Sequence, residues 1–111
     1  MERLKKGNEF TRVIREGRNV SNAWAVLYTL RREQGGLRAG VAAGKRLGKA
    51  HVRNRAKRLL REALRRLAPR APEGADLVVI ARRRTVEGTL EGVERGVREL
   101  LERGGLATQR P

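Results

Sequence analysis

Eleven basic side chains, Lys45, Arg46, Lys49, Arg53, Arg55, Lys57, Arg58, Arg61, Arg65, Arg66 and Arg70, share one short segment with a single acid, Glu62. That segment carries two-thirds of the chain's formal net charge of +15. Guanidinium forks take phosphate oxygens two at a time, and a row of them on a rigid element fixes register along a sugar-phosphate backbone without reading bases. The chemistry implied is a cationic grip on a polyanion. A merely solvated basic face is the weaker reading, because too few acids lie nearby to balance it.

Bond-breaking chemistry finds little support. The chain has no cysteine and one histidine, His51, so it offers no thiolate nucleophile, no pair of imidazoles for acid–base cleavage and no cysteine-based zinc site. A two-metal nuclease needs clustered carboxylates, and the basic segment holds only Glu62. Spaced three or four residues from Arg58, Arg65 and Arg66, Glu62 is expected to pair along its own helix. Gly44 to Ala50 resembles a phosphate-cradling loop only superficially: one residue is missing between the glycines, and Ala50 stands where such a loop carries a magnesium-binding hydroxyl. One Phe, one Trp and one Tyr are too few for a stacking platform of the RRM kind.

The elements that must position the basic row follow from periodicity. Val52 to Leu67 is the strongest helix: Val52, Ala56, Leu59, Leu60, Ala63, Leu64 and Leu67 fall on one stripe, with Asn54, Arg58, Arg61 and Arg65 on the far side. Asn8 is expected to cap a short helix over Glu9 to Glu16, with Phe10, Val13 and Ile14 on one face and Gly17 as its stop. Alternation over Ala23 to Leu30 predicts a strand with Trp24, Val26, Tyr28 and Leu30 on one side. After Gln34-Gly35-Gly36, Leu37 to Ala43 reads as a second strand, and the two are expected to form a hairpin. Pro69, Pro72 and Gly74 make a loop before Leu77 to Ala81, whose continuous apolar run suits a central strand buried on both faces. Thr85 is expected to cap a final helix to Arg103. Gly88, Gly92 and Gly96 beside its core stripe are attributed first to compositional bias, with close backbone packing as the alternative, and Gly104 to Pro111 is expected to be a loose tail.

These elements make an α+β domain with helices on a small sheet, and 111 residues suit one domain. No apolar run is long enough to span a bilayer, and the charged stretch Met1 to Lys6 carries no secretory pattern. A cytoplasmic location is expected.

Gly48-Lys49-Ala50-His51-Val52-Arg53-Asn54-Arg55-Ala56-Lys57-Arg58-Leu59-Leu60-Arg61 closely resembles the Arg-Asn-Arg signature of the bacterial ribonuclease P protein component. Asn8-Glu9-Phe10, Val26-Leu27-Tyr28, Gly40-Val41, Lys45-Arg46 and Leu77 to Arg82 agree with it in order, so the likeness runs from about residue 4 to residue 103. The resemblance implies a four-stranded sheet packed with three helices in the order α-β-β-β-α-β-α, like the second domain of ribosomal protein S5, with a left-handed βαβ crossover and a short strand near Arg18 to Ser21. It implies a protein subunit whose RNA partner is the catalyst, using magnesium to remove the 5′ leader of precursor tRNA. Contact with that RNA is carried onto Lys45, Arg46, Arg53, Asn54, Arg55, Lys57, Arg58, Arg61 and Arg65. A leader-binding cleft between the first helix and the sheet is carried onto Phe10, Ile14, Val26 and Tyr28. Ala56 is smaller than the aliphatic common in the signature, and Ile14 replaces a frequent second aromatic. The competing readings are a structural RNA binder of the ribosomal or assembly type and, more remotely, a DNA-binding regulator, for which no tight helix-turn-helix precedes Val52.

Overall fold

The computed structural model describes residues 1–5, 7–33, 35–71 and 73–108. Its elements are β1 (Glu2–Arg3), α1 (Gly7–Glu16), β2 (Arg18–Ser21), β3 (Ala25–Arg31), β4 (Leu37–Ala42), a 3₁₀ turn (Lys45–Leu47), α2 (Ala50–Leu67), β5 (Ala75–Ala81), α3 (Arg83–Glu87) and α4 (Leu90–Arg103). The strands form one sheet in the order β1-β4-β5-β3-β2.

As its unbroken apolar sequence requires, β5 takes the centre, antiparallel to β3 and parallel to β4. This overturns the expected β3–β4 hairpin. The two strands are separated by β5, because a strand apolar on both faces gains most where neighbours cover both its edges. The strand that does pair with β3 next in sequence is β2, at the short segment the family resemblance implies. Strands β4 and β5 are joined through α2 in a parallel βαβ unit. The expected four strands become five because Glu2 and Arg3 pair with Arg38 and Ala39, and Leu4, which follows, is buried.

On one face of the sheet, Leu27, Leu77 and Val79 pack with Leu60, Leu64 and Leu67 of α2 and Val93, Val97 and Leu100 of α4. On the other, α1 covers a smaller core in which Val13 meets Val78 and Leu4. Helix α1 starts at Gly7, so Asn8 lies inside its first turn rather than ahead of it.

The expected single C-terminal helix is two. Gly88 and Thr89 are extended, and the Thr89 hydroxyl caps α4 by accepting from the Gly92 amide at 3.2 Å. Thr85 is no cap: it is fully buried and donates its hydroxyl to the Trp24 carbonyl at 2.8 Å. Trp24, expected beside Val26 and Tyr28, precedes β3 and turns to the opposite side, where Asn22 Oδ1 accepts from the Trp24 and Ala25 amides at 2.9 and 3.1 Å. There its indole lies along the three glycines. An added Cβ would stand 2.6 Å from the ring at Gly88, 2.5 Å at Gly92 and 2.4 Å at Gly96. Their role is packing, contrary to the compositional reading.

Of the segment expected as a loose tail, Leu106 and Ala107 are tied to the body. Leu106 is buried and the Arg70 backbone amide donates to the Ala107 carbonyl at 2.9 Å. Gln109 to Pro111, and the turn positions Gln34 and Pro72, lie outside the described residues.

Candidate nucleic-acid interface

Helix α2 separates its faces as its sequence demands. Ala56, Leu60, Ala63, Leu64 and Leu67 are buried, while Asn54, Arg58, Arg61 and Arg65 are exposed along the outer ridge. Its eighteen residues give a length of about 27 Å at 1.5 Å per residue. Lys45 and Arg46 sit in the 3₁₀ turn just ahead of it, also exposed.

Among the described residues, Lys45, Arg46, Asn54, Lys57, Arg58 and Arg61 make no side-chain hydrogen bond or ion pair within the chain. The other three predicted contacts are partly engaged. Arg53 Nε donates to the Gly48 carbonyl at 3.2 Å. Arg55 donates to the carbonyls of Val86 and Gly88 at 3.0 and 3.2 Å, bracing α3 against α2. Arg65 is paired with Glu62, to which Arg66 also lies 3.5 Å away. Glu62 therefore chooses Arg65 and Arg66 from its three possible partners and leaves Arg58 free. The Arg65 hydrogen bond holds the Glu62 carboxyl below the usual carboxylate range. Desolvation, with the neighbouring charge of Arg3, lowers the Arg61 guanidinium from its ordinary value. It remains a cation at neutral pH.

The second predicted surface lies across the sheet. Phe10 is seated on Gly40, where an added Cβ would stand 2.3 Å from Phe10 Cζ. Register pairs Val26 with Ile80 and Tyr28 with Val78, so Val26 and Tyr28 share α1's face of the sheet and are half-buried. Phe10 and Tyr28 pack against the core around Val13 and Val78. Ile14, one turn beyond Phe10, is 38% exposed and stands outside that cluster. Sequence reasoning missed Ile80 and Gly40. The signal for Ile80 was its place in β5, alternating with the fully buried Val79, but only the β3 register sets it beside Val26.

At the base of this surface Asp76 is buried. Arg38 grips it through two hydrogen bonds of 2.8 and 2.7 Å, Arg32 lies 3.1 Å away, and Arg38 also reaches Glu9 at 3.0 Å. Hydrogen bonding to Asp76 raises the Arg38 guanidinium above its ordinary value. The network fixes the N-terminal end of α1 over the sheet. No group of three or more His, Asp or Glu able to hold a metal occurs among the described residues, and none of their helices is long and apolar enough to cross a membrane.

Residues 1–105 match the family described as Ribonuclease P. The chain belongs to the ribonuclease P protein family. It is 48% identical over 105 residues to the ribonuclease P protein component of Symbiobacterium thermophilum, covering 94% of this chain and 91% of that protein. With its counterpart from Brevibacillus brevis the identity is 41% over 110 residues, covering 98% and 87%. The solved ribonuclease P protein of Staphylococcus aureus superposes with a TM-score of 0.78 at 28% identity, over 94% of this chain and 95% of that one. That of Thermotoga maritima gives 0.77 at 30% identity, over 93% and 97%. The family places this chain in a nuclease of tRNA processing, as a protein component with an RNA partner.

Proposed function

We propose that this chain is the RNA-gripping subunit of a bacterial ribonuclease P whose RNA partner performs the cleavage. The observation that carries this reading is the α2 ridge, where Arg58, Arg61 and Asn54 point outward without acidic partners. Such a ridge offers forked donors to the phosphates of a folded RNA. Lys45, Arg46, Arg53, Arg55, Lys57 and Arg65 extend the contact.

The half-buried surface of Phe10, Val26 and Tyr28, with Ile14 at its rim, is assigned to the single-stranded 5′ leader of precursor tRNA, whose bases can pack on apolar and aromatic side chains. Magnesium is assigned to the RNA partner and, bound there, would supply the charge that activates water. The chain's own part is to bind, position and neutralise. Its place of work is the cytoplasm.

Reconstitution tests this. The protein mixed with its cognate RNA subunit should stimulate cleavage of a leader-bearing precursor tRNA at low magnesium, and activity should vanish when the RNA is destroyed. Absence of stimulation would instead favour a ribosomal or assembly role for the same ridge, and cleavage surviving removal of the RNA would make the protein itself the nuclease.

A further inference from the structure

The charge outside the basic segment has a focus of its own. Arg82, Arg83 and Arg84 are consecutive and exposed, and none forms an ion pair among the described residues. Two are pinned by backbone carbonyls. Arg82 donates to Asn22 at 2.9 Å, and Arg83 donates to Leu47 and Arg46 at 3.2 and 3.1 Å. The second tie joins α3 directly to the turn that carries Lys45 and Arg46.

Arg84 is held differently. Its guanidinium lies 5.3 Å from the centroid of the Trp24 ring, within cation–π range. The indole is immobilised in turn by Gly88, Gly92 and Gly96 beneath it and by the Asn22 turn before it. Trp24 is only half-buried, and its ring N–H has no acceptor among the described residues.

Three cations without carboxylates, fixed by carbonyls and a ring rather than free to fold back, form an ordered array beside the turn of the α2 ridge, with uncompensated charge and N–H groups left over from those ties. We propose that Arg82, Arg83 and Arg84, with the Trp24 indole edge, form a second phosphate clamp that takes the sugar-phosphate backbone of the RNA partner. Its ligand class is RNA phosphate, held by guanidinium forks and one indole N–H. The clamp rests on the reading of this chain as an RNA-gripping subunit and enlarges its footprint beyond α2. Trp24 acts as the plinth that aims Arg84.

The full-length chain and the transcribed ribonuclease P RNA subunit test it. Arg84→Gln should weaken binding and reduce the slope of log affinity against log salt by about one, while Arg84→Lys, which keeps the charge, should restore most of that slope. Trp24 is the only tryptophan, so its emission should change on saturation with the RNA, both in wild type and in Arg58→Ala driven to saturation. Matching thermal melts of the two Arg84 variants and wild type establish that the fold is intact. If wild type binds with strong salt dependence while Arg84→Gln keeps the full slope and Trp24 emission stays constant, the clamp is refuted and the α2 reading stands. If wild type does not bind the RNA, both fall.

Discussion

Arg58 and Arg61 stand on α2 without acidic partners, so each is free to displace counterions from a phosphate. Arg58→Ala and Arg61→Ala should each reduce the salt slope of RNA binding by about one, measured by titration at several ionic strengths. An unchanged slope would remove that residue from the contact set. Arg65 differs because Glu62 already holds it. The depressed Glu62 value means this pairing is in place above the ordinary carboxylate range and is lost as pH falls through the depressed value. Glu62→Gln imposes the neutral state at pH 7, and it should raise RNA affinity by releasing Arg65 and Arg66; equal or weaker binding would show that Arg65 is already aligned by its partner. Asp76 is buried against Arg38 and Arg32. Its removal leaves Arg32 without its carboxylate and Arg38 with Glu9 alone, so Asp76→Ala should cost about 1–3 kcal/mol in urea unfolding.

At the scale of elements, the contact between Trp24 and α4 decides between two opposed effects. Replacing Gly96 by alanine gains about 1 kcal/mol of helix propensity, yet the new methyl would stand 2.4 Å from the indole. Overpacking of that kind costs about 1–3 kcal/mol, so Gly96→Ala should be destabilising and should shift tryptophan emission; a higher melting temperature would mean that the ring moves aside freely. This contact was invisible in sequence because it joins residues more than seventy positions apart. What sequence shows well is any pattern complete within one element: the two faces of α2, the central placing of β5, the apolar face of α1. The hairpin failed because Leu37 to Ala42 and Ala25 to Arg31 carry no mark of which strand each will choose. The C-terminal helix was overextended because its apolar spacing continues through Gly88 and Thr89, where the backbone opens. For the site, charge density located the ridge from sequence alone. The candidate cleft needed the family resemblance, since Phe10 and Val26 on their own read more readily as core.

Over the whole molecule, the two candidate surfaces start from opposite faces of one sheet and meet at its β1–β4 edge, where Phe10, Arg61 and Arg65 line one recess. Helix α2 packs on the face of Leu27 and Leu77, and α1 packs on the face of Tyr28 and Val78. On the proposed reading, a body measuring 37 × 33 × 20 Å would hold a folded RNA along α2 and a single strand along the α1 face, with the two approaching each other at that edge. Neither Tyr28 nor Arg58 lines that recess, so the effects of replacing these two should add. Tyr28→Ala should lose about 1–3 kcal/mol of leader-dependent binding if the ring stacks on a base, Arg58→Ala should weaken RNA-subunit binding alone, and the double variant should show the sum in precursor-tRNA titrations. A strong departure from additivity would mean that the surfaces communicate through the sheet.

The parallel pairing of Glu2 and Arg3 with β4 has a practical consequence. It places the exposed Met1 at the rim of a recess that Arg61, Leu64 and Arg65 also line, so a purification tag or dye fused ahead of Met1 would emerge beside those arginines. Labels for affinity work belong elsewhere on the surface, and values obtained with an amino-terminal fusion would understate the grip.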